Sequence, residues 1–376
     1  MALVKLHTEH FRNLAGDPID FSPAFNLIYG ENGSGKSCLL EAIGYLGLGR
    51  SFRVSRHQAV SRHGTSRFTV FGGLADCPAA GGDSGDRNEH LQHRVGFARD
   101  VIDKDTQLRV DGESVRSLSA LARLLPVSVI DPGVFDIVAG SPGKRRQFVD
   151  WLVFHVEPSF AYLWQQCQRV TSQRNQALRN GRMDQSLLRV WDNQYVALAA
   201  QVTQARQATM TLFQTAFESL LAEVETPWVE GLKLDFYPGW DNKRSLAEVL
   251  VAQREQELRM GHSLYGPNRA DLKLRFQGRP VAETFSRGQQ KTLVILMKIA
   301  QGMVLSQLGK QVTFLLDDIN AELDGEHRAM LAEKLHELRC QVFMTSIEQP
   351  RPHQLWRESM PEFRVFHVEH GRVTEE

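Results

Sequence analysis

The apolar run Phe25 to Tyr29 ends directly in Gly30, and GENGSGKS, residues 30–37, leads from it into a stretch that sets Leu39, Leu40, Ile43 and Leu46 at helical spacing. Strand, glycine-rich loop and helix in that order constrain the chain more than any other feature. The strand needs parallel neighbours, and the helix must lie back against the sheet they make. The loop fits the phosphate-binding pattern G-x-x-x-x-G-K-[ST]. Its glycines let backbone N–H groups curl around phosphates, Lys36 brings a point charge to the outer ones, and Ser37 offers a hydroxyl to magnesium at a helix N-terminus. Gly30, Glu31, Asn32, Gly33, Ser34, Gly35, Lys36 and Ser37 are therefore the expected phosphate cradle. A purely structural glycine turn can be spelled the same way, but the strand before it and the helix after it favour binding.

Two later segments gain meaning from that loop. Phe314-Leu315-Leu316-Asp317-Asp318 reads as an apolar strand ending in two carboxylates, and a parallel sheet delivers side chains to ligand at its carboxyl edge. Asp317 is expected near the magnesium ion, and Asp318, pointing differently, is expected to polarise the attacking water. Alone, such a pair reads as a solvated turn. FSRGQQK, residues 285–291, precedes a helix whose first turn exposes free N–H groups, with the Ser286 hydroxyl and Gly288 allowing close approach to an anion. Alone, it reads as a helix cap. The order phosphate loop, SRGQ, DD excludes small-molecule kinases and most GTPase layouts.

Forty-four basic residues cancel forty-four acidic ones, so bulk charge cannot hold the chain on nucleic acid or a membrane. Local segregation can. Residues 42–75 hold Arg50, Arg53, Arg56, Arg62 and Arg67, two histidines and no acid. Residues 144–190 hold Lys144, Arg145, Arg146, Arg169, Arg174, Arg179, Arg182 and Arg189 against three acids. A charged face of this kind is usually just solvated; if it instead meets nucleic-acid phosphates, Arg50, Arg53, Arg56 and Arg62 are the expected DNA contacts. Arg145 and Arg146 suit equally a role in pinning two lobes together. No base-reading helix or aromatic single-strand platform is visible, so binding is expected to be directed at the backbone of a duplex and to fall steeply with salt.

A chain of 376 residues with 42% hydrophobic residues and no low-complexity tract folds into about two or three domains. Cys38, Cys77, Cys167 and Cys340 show neither a CxxC pair nor metal-ligand spacing, which points to a reducing compartment. MALVKLHTEHFRN lacks the apolar core of a signal peptide, and nowhere do about 18 uncharged apolar residues run together. The cytosol is expected.

Strands are expected over 3–9, 67–74 and 92–98, with a hairpin at Asp111-Gly112 and a solvated loop over 76–89. From Pro158 to Pro227 no proline intervenes and Asn180-Gly181 is the obvious breaker, so two long helices should form an antiparallel arm, about 30 Å and 60 Å long at about 1.5 Å per residue. Strands near 232–237 and 271–276, a helix over 288–306 and a buried strand from Val312 to Leu316 complete the reading.

Together GENGSGKS, FSRGQQK and FLLDDINAELD resemble the ABC-type ATPases, and the signature spelling in a single-chain layout is similar to the RecF family, an SMC-like group of bacterial recombination mediators. HFRNL, GSPGKRRQFVDWLVFHVEP (140–158), YGPNRADL (265–272) and QVFMTSIE (341–348) extend the resemblance along the chain. It implies an α/β fold: an ABC-type ATPase head with a central parallel or mixed sheet and flanking helices, plus an inserted α-helical lobe forming a short antiparallel arm. The implied segments are 1–140, the N-terminal part of the ATPase lobe with an antiparallel β subdomain; 141–262, the helical lobe; and 263–376, the C-terminal part with signature, second carboxylate motif and D-loop.

The resemblance further implies ATP with Mg2+ held by Ser37 and Asp317, catalysis by Asp318, Asp317 and Lys36, and Arg12 and Asn13 near the base and phosphates. Ser286, Arg287, Gly288 and Gln289 would act in trans on nucleotide held by a second copy, with Ala321 to Asp324 along the interface, so that ATP drives homodimerisation. The implied work is ATP-dependent binding of double-stranded and gapped DNA and, with RecO and RecR, loading of RecA on SSB-coated gaps. A link to the SOS response and a cytoplasmic, nucleoid-associated location follow. Where transporter ATPases carry a switch histidine this chain has Met344-Thr345-Ser346, and its second carboxylate is Asp318 rather than glutamate. Slow, DNA-stimulated hydrolysis is the expectation. A transporter energiser would need a compact coupling surface where this chain has a long arm and basic segments. A tethering SMC-like protein would need hundreds of heptad residues, and 159–226 allow only a short arm.

Overall fold

The computed structural model describes residues 1–54, 56–76, 91–179, 185–224, 228, 230–319, 323–356 and 360–376. Residues 77–89 of the polar loop, Asn180-Gly181, Arg182 and the first two D-loop residues, Ala321 and Glu322, lie outside the described residues. The chain forms two compact units, Met1–Val134 with Leu305–Glu376, and Phe135–Val304.

The first unit opens with β1 (Ala2–Glu9), β2 (Ile19–Asp20), β3 (Phe25–Tyr29), α1 (Lys36–Leu48), β4 (Arg67–Ala75), β5 (His93–Asp100), β6 (Thr106–Val110), β7 (Glu113–Ser114), α2 (Leu118–Leu124) and β8 (Val127–Ile130). An antiparallel sheet runs in the order β2-β1-β4-β5-β6-β7. Its β6–β7 turn places Asp111 at φ 53° and Gly112 at φ 85°, the two left-handed residues that a tight primed turn requires. Leu39, Leu40, Ile43, Tyr45 and Leu46 of α1 are all fully buried. A helix so apolar around its circumference must be covered on more than one side.

The second unit contains α3 (Asp136–Ala139), α4 (Pro142–Val156), α5 (Phe160–Arg179), α6 (Gln185–Glu223), β9 (Leu232–Tyr237), α7 (Leu246–Ala252), α8 (Arg254–Met260), β10 (Asp271–Phe276), β11 (Arg279–Pro280), α9 (Val281–Thr284) and most of α10 (Arg287–Gln307). Twenty and 39 residues make α5 and α6 about 30 and 58 Å long. They run antiparallel, since partner numbers fall on one as they rise on the other: Ala177 and Leu178 pack with Leu188, Arg174 binds Asp192, and Arg206 lies over the Trp164 ring.

Arg174, which the sequence groups with the basic surface of this segment, is instead fully buried. Its guanidinium donates to Asp192 at 2.8 Å, to Glu257 at 2.5 Å and to Ser263 at 2.7 Å, because α6 and α8 bring acids to the same interior point. Arg145 binds both oxygens of Asp271, at 2.7 and 3.1 Å, and Arg146 donates to the Ala270 carbonyl at 2.7 Å. These two arginines therefore pin α4 to β10. Residues 263–304 cluster with the helices, since β10 pairs along its whole length with β9 and is held by α4. The divisions expected at 140/141 and 262/263 thus differ from the unit boundaries, which fall at 134/135 and 304/305.

The first unit closes with β12 (Thr313–Leu316), α11 (Gly325–Glu337), β13 (Gln341–Ser346), β14 (Phe363–Glu369) and β15 (Arg372–Glu375). A mixed sheet runs β15-β14-β3-β13-β12-β8, parallel throughout except for β15. The core joins the two sheets across α1: Phe68, Val70, Val95 and Phe97 come from the antiparallel one, Leu315, Phe343, Phe366 and Val368 from the mixed one. The carboxyl ends of β3, β12 and β13 consequently lie side by side on one edge. This is the α/β head expected from the sequence.

Candidate nucleotide-binding site

At that edge Gly30, Gly33 and Gly35 carry φ of 150°, 82° and 123°. The loop passes straight into α1, whose first turn has no acid and whose N-cap Gly35 supplies no side-chain cap. Its amides and positive dipole end suit an anion. The C-terminal hairpin backs the loop from behind. The Gly371 amide donates to the Ser34 carbonyl at 2.7 Å, and the Ala15 amide donates to the Gly371 carbonyl at 2.8 Å. Gly371 has φ 83°, and a Cβ there would stand 1.9 Å from the Asn13 carbonyl oxygen. Sequence reasoning missed this buttress; the His370-Gly371 turn between alternating runs was the available signal.

Lys36 is only 6% exposed and folds onto its own loop, donating to the carbonyls of Gly30 at 2.7 Å and Glu31 at 2.9 Å. Burial pushes its pKa down, with the nearby Asp318 and Asp317 charges opposing. Ser37 Oγ donates to Asp317 Oδ1 at 2.9 Å. Burial pushes the Asp317 carboxyl up, and hydrogen bonds from Ser37 and Thr345 restrain the rise. Thr345, fully buried on β13, donates to Asp317 Oδ1 at 3.0 Å while its hydroxyl accepts the Asp318 amide at 2.9 Å. Asp318 has φ 52°, a left-handed turn that a short polar side chain tolerates, which takes the chain out of β12. A hydroxyl and a carboxylate oxygen side by side fit Mg2+, a hard cation that accepts one or two protein oxygens and completes its shell with water and phosphate.

Asn13 Nδ2 donates to the Ser34 carbonyl at 3.4 Å, which places it on the loop. Arg12 beside it is occupied within the protein. Its Nε and Nη2 each stand 2.9 Å from the carboxylate of Glu41, and Nη1 donates to the Ala59 carbonyl. Arg62 donates to the Arg12 and Leu14 carbonyls. Arg50, Arg53 and Arg56 are exposed. The Arg53 charge adds a minor lowering influence on the Asp317 pKa.

The SRGQ segment belongs to the other unit. Ser286 Oγ accepts the Gln289 amide at 3.3 Å and the Ser286 amide donates to Gln289 Oε1 at 2.9 Å, a reciprocal cap on α10. Phe285 anchors it against Trp228 and Phe276. Ser286, Arg287 and Gly288 are exposed, and a Cβ on Gly288 would meet nothing closer than Ser286 Oγ at 4.0 Å. The cap is formed and its outer face is open.

Residues 2–374 match the model of the RecF/RecN/SMC N terminal domain family. The chain is 71% identical over 381 residues to the DNA replication and repair protein RecF of Marinobacter nauticus, with all of both chains covered. It is 41% identical over 378 residues to the RecF protein of Pseudomonas fluorescens, covering 100% of this chain and 98% of that one. Among solved structures, the recombination mediator protein RecF with ATP, of the RecFOR pathway, superposes with a TM-score of 0.83 at 22% identity, covering 100% of this chain and 97% of the other. An Smc head bound to the C-winged helix domain of ScpA gives a TM-score of 0.57 at 15% identity, covering 100% and 98%. Both structural likenesses bear on the fold.

Proposed function

The chain belongs to the RecF family, within the RecF/RecN/SMC N-terminal-domain group, and from that membership we propose that it is an ATP-hydrolysing, DNA-binding mediator of recombinational repair and replication. The observation that carries this reading is the joint placement of Lys36, Ser37, Asp317 and Thr345 at one sheet edge. Loop amides and the α1 N-terminus bind the phosphates of ATP, and Lys36 exchanges the Gly30 and Glu31 carbonyls for them. Ser37 and Asp317 hold Mg2+, which supplies charge neutralisation when bound. Asp318 orients the attacking water, and its backbone is fixed by Thr345.

Because the α10 cap is formed but open, we assign it to the nucleotide of a second copy, so that ATP closes a homodimer and hydrolysis releases it. Exposed Arg50 and Arg56 meet duplex or gapped DNA through its phosphates. RecO and RecR are the proposed partners in loading RecA on SSB-coated gaps, and the SOS link rests on that role. The test is hydrolysis by purified protein with and without duplex, alongside Lys36→Arg. Weak hydrolysis that rises with duplex and is lost in the variant is expected; rapid turnover indifferent to DNA would contradict the reading.

A further inference from the structure

β9 ends the three-stranded sheet β11-β10-β9, and among the described residues no further strand pairs with it. Its apolar positions are left half covered. Leu234 and Phe236 stand in register with Leu274 and Leu272 of β10, which are buried where α4 packs, yet both remain only half-buried. Neighbouring helices lie about 8–10 Å apart and neighbouring strands about 4.8 Å, so a helix beside the one on β10 stands over the second strand position from β10 rather than the first. α6 is that helix: Phe148 of α4 meets its Phe213 edge-on, with ring centroids 5.5 Å apart. A groove of about 590 Å3 accordingly runs between α6 and β9, where a fourth strand would lie. Every residue from Leu232 to Phe236 borders it, as a strand's edge presents and a strand's face does not. From Gln207 to Leu221 the bordering face of α6 is about 21 Å long, the reach of about six extended residues.

Charge gives the occupant its character. Lys233 stands directly opposite Arg275, both exposed, and Arg275 donates to the Gly278 carbonyl at 2.9 Å; among the described residues neither has a carboxylate partner. Like charges across a strand pair repel, and an acid on the next strand would offset them. We propose that the outer edge of β9, beneath α6, receives an extended segment of a partner protein as a fourth strand, with apolar side chains at alternate positions beside Leu232, Leu234 and Phe236 and an acid beside Lys233. A second copy of β9 would bring its own α6 into the layer that α6 already fills, so the groove suits a single strand with no covering helix of its own. The surface lies wholly within the second unit and does not rest on the nucleotide or DNA reading.

The probe is a fluorescein-labelled heptapeptide of alternating valine and glutamate, titrated against the full chain by anisotropy and by hydrogen exchange read over residues 231–237. A second peptide carries lysine in place of glutamate. Thr211→Trp fills the groove from the α6 side, and Lys233→Glu reverses the charge beside it; both positions are exposed, so neither change disturbs a core. Leu212→Trp is the control, since Leu212 is 44% exposed on α6 and does not border the groove. Sizing by light scattering without nucleotide asks whether a second copy takes the place instead.

The glutamate peptide is expected to bind saturably and to slow exchange over 231–237 severalfold. Thr211→Trp should weaken it about tenfold or more, Leu212→Trp should leave it unchanged, and Lys233→Glu should turn the preference toward the lysine peptide. No saturable binding at millimolar peptide, equal weakening by Thr211→Trp and Leu212→Trp, equal binding of both peptides by wild type, or slowed exchange only outside β9 overturns the proposal. A nucleotide-free dimer that Thr211→Trp abolishes would also overturn it, by making a second copy the occupant.

Discussion

Ser37 Oγ lies 2.9 Å from Asp317 Oδ1, so the first turn of α1 and the carboxyl end of β12 meet through one hydrogen bond. Burial holds the Asp317 carboxyl above its ordinary pKa. A raised pKa means that the folded state binds the proton more readily than the unfolded chain. The ionised group therefore costs stability at neutral pH, and the cost vanishes as pH falls through the raised value. Asp317→Asn should melt higher than wild type at pH 7 without nucleotide, with the gap closing toward acid pH, and should lose Mg2+-dependent ATP binding. Differential scanning fluorimetry across pH, with and without ATP and Mg2+, reads both effects. A lower melting temperature at pH 7 would contradict the assignment.

Thr345 Oγ1 serves both carboxylate residues, donating to Asp317 and accepting from the Asp318 amide. Thr345→Val keeps the shape and removes both bonds, leaving a half-buried amide unpaired at a cost of about 1 kcal/mol. Hydrolysis should fall by more than ATP affinity does, because Lys36 and the loop amides remain. Single-turnover kinetics beside fluorescent-nucleotide titration would show whether the two separate.

The glycine-rich loop between β3 and α1, and those two elements, were legible because they depend on neighbours in sequence, as were α5, α6 and the strand leading to Asp317. Thr345 and Gly371 were not recognised as supports, because their roles exist only when β13 lies between β3 and β12 and when the β14–β15 turn reaches Ser34. Spacing does not encode strand order. Charge reading had the same weakness. Arg174 and Arg50 look alike in a basic stretch, yet acids on α6 and α8 bury the first, while the second stays exposed. Arg62 is likewise drawn to carbonyls of the opening segment.

Reversing Arg50 and Arg56 to glutamate should weaken duplex binding and reduce the slope of log affinity against log salt by about 0.9 for each phosphate no longer neutralised. ATP binding should persist, since neither side chain enters the loop. Arg53 is best excluded from this test because its charge reaches Asp317. Fluorescence anisotropy over a salt series measures the slope, and an unchanged low-salt affinity would remove these residues from the DNA surface.

Glu257 is fully buried against Arg174, and its other oxygen accepts the Leu264 amide at 2.9 Å. Glu257→Ala strands a buried guanidinium with only part of its acid shell and should destabilise the helical unit by about 3–5 kcal/mol. Urea unfolding followed by far-UV circular dichroism would register it. A change within experimental error would mean that the network is dispensable.

Sizing by light scattering coupled to gel filtration tests the shared-site claim most directly, using wild type, Lys36→Arg and Ser286→Arg with ADP, with ATP and with ATP plus duplex. The account predicts a dimer for wild type with ATP, dissociation with ADP, and monomers for Ser286→Arg even though it still binds ATP. Wild type that stays monomeric with ATP, whether or not DNA is added, would contradict it.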